Sequence, residues 1–132
     1  MIKKAEHVAI IVTDMDKSIA FYQEMFGYQV RLRGEGATRE MAFLFHENQP
    51  SFEIELIRDL QPKEDYAAVG IVNHLAFTVE NIDEAIAYYR ERGIHFRTEG
   101  PTPSLDGGRI ILFDGPEGEL LQFVEPGKDR KR

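Results

Sequence analysis

The feature that most constrains the fold of this chain is an internal repeat. Residues 7–24 match residues 74–91 at an offset of 67 (74 − 7), and eight of the eighteen aligned pairs are identical. The same offset later aligns Glu55 with Gln122, so the two halves stay in step over most of the chain. A long repeat that occurs twice indicates a tandem duplication of one supersecondary unit. We therefore predict a single domain with one module at about 4–60 and a second at about 71–126.

Both halves have the same predicted order of elements. An alternating apolar run opens each half and is typical of a half-buried strand. A helix follows each run, with Asp14 and Asn81 as N-caps and Gly27 and Gly93 as stop signals. Further strands are predicted at about 28–34, 40–46 and 51–58, and then at about 94–99, 109–114 and 119–125. The fold class is thus α+β, with two tandem βαβββ modules.

Four polar side chains fall on the predicted inner faces of strands. Successive strand side chains point to opposite faces, and each helix must cover the aliphatic face of its sheet. This places His7 and His74 on the face away from the helix, at the start of the first strand of each half. The same count places Glu55 and Gln122 on the inner face of the last strand of each half. The four residues therefore occupy two pairs of repeat-equivalent positions.

His7, Glu55, His74 and Gln122 form a candidate metal site. The chain has no Cys, so any metal ion must be held by nitrogen and oxygen donors. Imidazole, carboxylate and amide donors suit Zn, Ni, Co, Mn or Fe(II). A single His at a strand start is more often an ordinary surface or core residue. Two His at identical repeat positions, each with an equivalent acid or amide, favour a set of metal ligands.

Other polar residues receive structural interpretations. Glu53 faces inward but aligns with Leu120, so we interpret it as a charge at the rim of a cleft. His46 and His95 lack a matching polar partner and are interpreted as ordinary residues at strand ends.

Charge and hydropathy exclude two classes of partner. The formal net charge is −7, and the one basic run, residues 128–132, is interpreted as a solvated tail. Nucleic-acid binding requires a basic patch, so we expect no nucleic-acid partner. No stretch approaches the roughly 20 apolar residues that span a bilayer, and no signal-peptide core is visible. We expect a cytoplasmic protein that acts on a small molecule.

The chain resembles the vicinal oxygen chelate superfamily, which includes glyoxalase I, bleomycin resistance proteins and extradiol dioxygenases. The segments that carry the resemblance are 7–12, 18–22, 52–57, 73–79 and 114–125. The resemblance implies that paired βαβββ modules form a U-shaped cleft, with a divalent metal ion bound by residues on the strands. It also implies a homodimer, and it leaves open whether the ligands come from one chain or from two.

Among members of that superfamily, bacterial glyoxalase I is similar in length and in the order of its ligands. Its pattern of His, Glu, His, Glu falls on His7, Glu55, His74 and position 122, which is Gln122 here. The resemblance implies a metal-dependent lyase or isomerase that moves a proton through a metal-bound enediolate of a small hemithioacetal. The ion would be Ni, Co, Zn or Mn. Because an amide cannot carry a proton, Glu55 is the one candidate catalytic base of the set.

Two alternatives remain open. Relatives that use glutathione commonly have Arg and Asn at the positions of Ile11 and Asp59, so another thiol, or none, is compatible with this chain. Methylmalonyl-CoA epimerase uses two His, one Gln and one Glu, which resembles the present set. A non-catalytic protein that binds a drug or metabolite is the third possibility, since function depends on the site and not on the fold.

Overall fold

The computed structural model describes residues 5–61, 72–104 and 107–127.

The chain divides into two compact units, Met1–Val69 and Gly70–Arg132. The first unit contains β1 (His7–Ile11), α1 (Met15–Phe26), β2 (Gln29–Glu35), β3 (Arg39–His46) and β4 (Gln49–Asp59). The second contains β5 (Leu75–Thr78), α2 (Ile82–Glu91), β6 (Thr102–Pro103), β7 (Arg109–Asp114) and β8 (Leu120–Glu125). Both units have the predicted βαβββ order. The tail at 128–132 and the predicted module bounds near 4 and 71 lie outside the described residues.

Each unit has one four-stranded mixed sheet. The strand orders are β1-β4-β3-β2 and β5-β8-β7-β6, and the first pair in each order is parallel. Val8 pairs with Ile54 in the first unit, and Leu75 pairs with Leu121 in the second, which is the same pair moved by 67 residues. The duplication visible in the sequence is therefore preserved in the hydrogen-bond register of the two sheets.

The helix ends follow the sequence signals. The Asp14 carboxylate accepts a hydrogen bond from the Lys17 amide at 3.0 Å, and the Asn81 side-chain oxygen accepts one from the Glu84 amide at 3.1 Å. These N-caps satisfy amides that the first helical turn leaves without a partner. Gly27 ends α1 in the left-handed conformation with φ of 77°, which glycine adopts without a steric penalty. Neither helix of the described residues has the length and apolarity needed to cross a membrane.

Each unit buries its own apolar cluster between helix and sheet. The largest fully buried side chains of the first unit are Tyr22, Leu44, Ile54 and Leu56. Those of the second unit are Ile82, Ile111, Phe113, Leu121 and Phe123. In both units the aliphatic face of the strands is covered by the helix, so the opposite face is left for polar side chains.

An ion-pair network around the buried Glu40 connects α1 to the first sheet. Glu40 on β3 accepts hydrogen bonds at 2.9 Å from Arg33 on β2 and from Arg58 on β4. Arg33 also contacts Asp16 in the first turn of α1 at 2.8 Å. The hydrogen bond from Arg58, followed by that from Arg33, lowers the pKa of Glu40 below its ordinary value. The carboxylate is thus held in its charged form.

The second unit has the same network with its charges exchanged between strands. Arg109 on β7 contacts Glu125 on β8 at 3.2 Å and Asp83 in the first turn of α2 at 3.0 Å. Glu125 also accepts a hydrogen bond from the Ile82 amide at 2.9 Å, so its carboxylate adds a second cap to α2.

The strand predicted at about 94–99 is wrong. That segment makes an isolated bridge between Phe96 and Phe113 and one hydrogen bond from the Arg97 amide to Leu112, and the edge strand β6 contains two residues. Pro101 and Pro103 lack the amide hydrogen that a longer ladder requires. The alternation of apolar residues is nevertheless real, because Ile94 is buried.

Candidate metal centre

The first unit brings His7 and Glu55 together. His7 opens β1, and parallel pairing with β4 places Glu55 opposite Ala9, two residues further along the same face. His7 Nε2 lies 3.4 Å from Glu55 Oε1. Glu55 is 8% exposed, although a buried carboxylate is costly unless a hydrogen-bond donor or a cation compensates its charge. The pair is therefore a plausible half of a cation site.

The distance between these two atoms fits shared coordination of one ion. Donors that each lie about 2.0–2.1 Å from a metal are separated by roughly 3.0–3.4 Å, depending on the angle between them. The observed separation of 3.4 Å lies at the upper end of this range, near the tetrahedral value. The separation within the first pair is therefore compatible with metal ligands.

The second unit repeats the arrangement with an amide in place of the acid. Gln122 on β8 pairs with Ala76 on β5, as Glu55 pairs with Ala9. His74 precedes β5 directly, at the position equivalent to His7, and it is exposed. Gln122 is 9% exposed, so the amide is buried to the same degree as the Glu55 carboxylate. The backbone thus places the second His and the amide as it places the first His and the acid.

Each unit supplies two of the four candidate donors. Among the described residues, no group of three or more His, Cys, Asp or Glu side chains lies close enough together to hold a metal ion. The four-ligand set therefore stays a prediction. What the structure adds is the contact between His7 and Glu55 and the equivalent strand register of Gln122.

Both candidate His residues have the same contact on the other ring nitrogen. His7 Nδ1 lies 3.1 Å from Glu6 Oε1, and His74 Nδ1 lies 2.9 Å from Asn73 Oδ1. In each case the oxygen belongs to the residue directly before the His. The sequence did not single out Glu6 or Asn73, although the offset of 67 aligns them.

A charged and aromatic group borders the first pair. Glu53 accepts two hydrogen bonds from Arg31, at 2.5 and 2.9 Å, in place of facing solvent as a free charge. The Arg31 guanidinium lies over the Phe43 ring at 5.2 Å, and the edge of Phe43 meets His7 at 6.1 Å between centroids. Phe43 thus contacts both the Arg31 guanidinium and the candidate ligand His7. Sequence reasoning missed Arg31 because a β-bulge between Val30 and Leu32 decides where it points.

The remaining candidates have local roles. The His46 ring accepts a hydrogen bond from the Asn48 amide at 3.1 Å in the turn between β3 and β4, and His95 is exposed. Asp59 contacts Arg39 at 3.2 Å, and Ile11 is 39% exposed at the end of β1. An apolar side chain at position 11 cannot hold a carboxylate, and the Asp59 carboxylate is already paired.

One family model matches most of the chain. The model of the Glyoxalase/Bleomycin resistance protein/Dioxygenase superfamily aligns with residues 6–113, which include three of the four candidate ligands. Gln122 lies beyond the matched range.

Individual relatives agree with this match. The uncharacterized protein YwbC of Bacillus subtilis is 32% identical over 95% of this chain and 99% of its own length. A lactoylglutathione lyase of Salmonella typhimurium is 28% identical over 96% of this chain and 94% of its own length. The crystal structure of a glyoxalase family protein from Enterococcus faecalis has a TM-score of 0.76 and 29% identity, and the match covers 93% of this chain and 98% of that one.

Proposed function

The chain belongs to the Glyoxalase/Bleomycin resistance protein/Dioxygenase superfamily, and we propose that it is a metal-dependent lyase or isomerase of the glyoxalase I type. The observation that carries the proposal is the contact between His7 Nε2 and Glu55 Oε1 at 3.4 Å. The strand register also places Gln122 opposite Ala76, as it places Glu55 opposite Ala9. The similarity to a lactoylglutathione lyase supports the same reaction class.

We assign His7, Glu55, His74 and Gln122 as ligands of one divalent ion, which is Ni, Co, Zn or Mn. Such an ion, when bound, would polarise two oxygens on adjacent carbons of a substrate and make the C–H bond of the carbon next to the carbonyl more acidic. The assignment is the same whether the two pairs come from one chain or from two copies in the homodimer that the family resemblance implies. His7 and His74 supply neutral nitrogen donors, and Glu55 supplies the negative charge.

Glu55 is the proposed base. Its carboxylate takes the proton from the hydroxyl-bearing carbon of a hemithioacetal, and the electron pair moves into the adjacent carbonyl. The same carboxyl group then returns the proton to the former carbonyl carbon, while the hydroxyl proton passes from the first oxygen to the second. The product is therefore an isomer and no other reactant is consumed. Gln122 cannot take part in this transfer because an amide is neither an acid nor a base near neutral pH. Gln122 instead orients the substrate or the ion.

The thiol portion of the substrate is proposed to differ from that of glutathione-dependent relatives. Ile11 offers an apolar, partly exposed surface, and Asp59 is paired with Arg39. These groups disfavour a carboxylate-bearing thiol at this end of the first sheet. We therefore propose a small hemithioacetal-like substrate with a less anionic thiol.

A second candidate is epimerisation next to a thioester carbonyl, as in methylmalonyl-CoA epimerase. The observation that favours it is the combination of two His with one acid and one amide at equivalent positions in the two units. The same base, Glu55, removes the proton, and the substrate alone distinguishes this candidate from the first.

Metal content is the first test. The protein is reloaded with Ni, Co, Zn or Mn and analysed by elemental mass spectrometry alongside His74→Ala. His95→Ala is the matched control, since this exposed His lies in the same unit but outside the proposed set. We expect stoichiometric metal in the wild type and the control, and its loss in His74→Ala. If neither the wild type nor the variants bind metal, the enzyme proposal fails and a metabolite-binding protein becomes the better explanation.

Solvent deuterium exchange tests the base. Metal-loaded protein is incubated in D2O with hemithioacetals and acyl-CoA thioesters, and exchange at the acidic carbon is followed by NMR. We expect Glu55→Gln to lower exchange by about 10²–10⁴-fold. Glu53→Gln removes the neighbouring carboxylate of the same strand and is expected to retain exchange.

A further inference from the structure

The two candidate His ligands share a contact that the metal proposal does not use. In each unit, the residue directly before the His places a side-chain oxygen against the Nδ1 atom, at 3.1 Å for Glu6 and at 2.9 Å for Asn73. Residues 6 and 73 are related by the same offset of 67 that relates the two His (73 − 6). The contact is therefore a repeated feature of the duplicated unit.

The position of these residues permits the contact. Adjacent side chains in a regular strand point to opposite faces and do not meet. Glu6 and Asn73 lie ahead of the regular strands, which begin at His7 and Leu75. The Glu6 carbonyl accepts a hydrogen bond from the Glu53 amide at 2.9 Å, which fixes the backbone of residue 6 beside β4. The side chain of Glu6 can then turn back onto the ring that follows it.

An oxygen acceptor at Nδ1 decides which tautomer a neutral imidazole adopts. A carboxylate accepts hydrogen bonds only, so Glu6 favours the His7 tautomer with the proton on Nδ1. Glu55, 3.4 Å from Nε2, favours the other tautomer until a cation is bound between Nε2 and that carboxylate. In the tautomer that Glu6 favours, the lone pair lies on Nε2, which in His7 is the nitrogen that faces Glu55. A carboxylate or carbonyl oxygen on the outer nitrogen of a metal-binding His also fixes the ring and makes it a stronger donor.

We propose that Glu6 and Asn73 are positioning residues that hold His7 and His74 in the tautomer with Nε2 free to bind a metal ion. This inference rests on the proposed function for its purpose, but the tautomer itself is a property of the metal-free protein. Neither residue is a ligand. Each acts through the His that follows it.

Residues 6 and 73 differ in charge, so the two substitutions should have effects of different size. Glu6 offers a full negative charge, whereas Asn73 offers a neutral amide oxygen. Hydrogen bonds to an ionised acceptor are stronger than those between neutral groups. The Glu6 side chain is 76% exposed, which weakens its effect through solvent. We expect the loss of Glu6 to lower metal affinity more than the loss of Asn73 does. The decrease should lie near the lower end of the roughly 10–100-fold range for residues that support a metal ligand.

The first experiment measures the tautomers without metal. Metal-free protein labelled with 15N is examined by long-range 1H–15N correlation at alkaline pH, where the two tautomers give distinct nitrogen shifts. In the wild type we expect the Nδ1–H form at His74 and a mixture of the two forms at His7, where Glu55 competes with Glu6 for the proton. Glu6→Ala is expected to move His7 toward the Nε2–H form and to leave His74 unchanged, and Asn73→Ala should have the reverse pattern. Glu6→Gln keeps an acceptor and should preserve the wild-type signal.

The second experiment measures metal affinity by competition with a chromophoric chelator. We expect Glu6→Ala to weaken binding by about tenfold and Glu6→Gln to recover most of that loss. Glu24→Ala is the matched control, since it removes a negative charge from an exposed position on α1. If Glu6 acted only through its charge, Glu6→Gln and Glu6→Ala would lose the same amount of metal affinity. This outcome would overturn the proposal.

The two experiments separate the two ideas. If the wild type binds no metal but Glu6→Ala still changes the His7 tautomer, the metal assignment fails and the positioning role stands. If the His7 tautomer is the same in the wild type and in Glu6→Ala, the positioning role is wrong, whatever the metal content.

Discussion

The two units share a backbone pattern but differ in the chemistry of their inner faces. Four of the five pairs between β1 and β4 are repeated between β5 and β8 at an offset of 67. At the equivalent inner position, the first unit has the acid Glu55 and the second has the amide Gln122. Both units therefore have a buried polar side chain at this place, an acid in one and an amide in the other. Under the proposed function, the first unit would supply the reactive group and the second a neutral donor.

The sheets also differ in extent. The strands β2, β3 and β4 contain 7, 8 and 11 residues, whereas β6, β7 and β8 contain 2, 6 and 6. The longer β2 carries Arg31 to Glu53 and Phe43, beside the proposed base. The first sheet thus forms a larger surface around its candidate donors.

The largest expected effect comes from exchanging the acid between the units. Glu55→Gln should abolish proton exchange, and the double variant Glu55→Gln/Gln122→Glu should regain at least about tenfold over it, because general-base catalysis requires the carboxylate in either equivalent place. Solvent deuterium incorporation checks this prediction, with Gln122→Glu alone as the control. If the double variant is as inactive as Glu55→Gln, the two inner positions are not chemically equivalent.

The two units should differ in how much stability one helical tyrosine contributes. Tyr22 of α1 is fully buried, whereas the equivalent Tyr89 of α2 is half-buried against Phe123. We expect Tyr22→Ala to lower the free energy of unfolding by about 3–5 kcal/mol, the range for large aromatic truncations, and Tyr89→Ala by roughly half as much. Urea denaturation of both variants provides the measurement. Equal losses would show that the helices contribute equally to their cores.

The ion pairs of Glu40 in the first unit predict that the stability of the protein depends on pH. Glu40 has a pKa lowered chiefly by its hydrogen bond from Arg58, so its contribution to stability is present above its unfolded pKa of 4.5 and is lost as the pH falls through the folded value. Glu40→Gln should therefore destabilise the protein by about 1–3 kcal/mol near neutral pH. Denaturation curves at several pH values should show this difference shrinking below the unfolded pKa. A constant difference across the acid range would contradict the assignment.

The smallest expected effect concerns a polar residue in one helix. The Ser18 hydroxyl is buried and finds no hydrogen-bond partner among the described residues, and the equivalent residue of α2 is Ala85. Ser18→Ala should raise the free energy of unfolding by about 0.5–1 kcal/mol, because it removes an unsatisfied hydroxyl and introduces a better helix former. Thermal unfolding checks the sign. The reverse substitution Ala85→Ser, at a half-buried site, should cost less than Ser18→Ala gains.

The sequence predicted most of the elements because their signals are local. Helix caps at Asp14 and Asn81 and the stop at Gly27 depend on short-range hydrogen bonds and backbone conformation, and the structure confirms them. The prediction of a strand at 94–99 is wrong because apolar alternation reports burial, whereas a strand also requires continuous pairing. This segment has an isolated bridge from Phe96 to Phe113.

The sequence by itself determined which residues share a face, since alternation along a strand is a property of the chain, and it thereby selected His7, Glu55, His74 and Gln122. Only the tertiary structure decided what touches them. The Arg31–Glu53 pair depends on a bulge between two strands, and the contact of Glu6 with His7 depends on where regular pairing begins. Such contacts arise between segments distant in sequence or at the edge of a ladder, where register and not periodicity sets the neighbours.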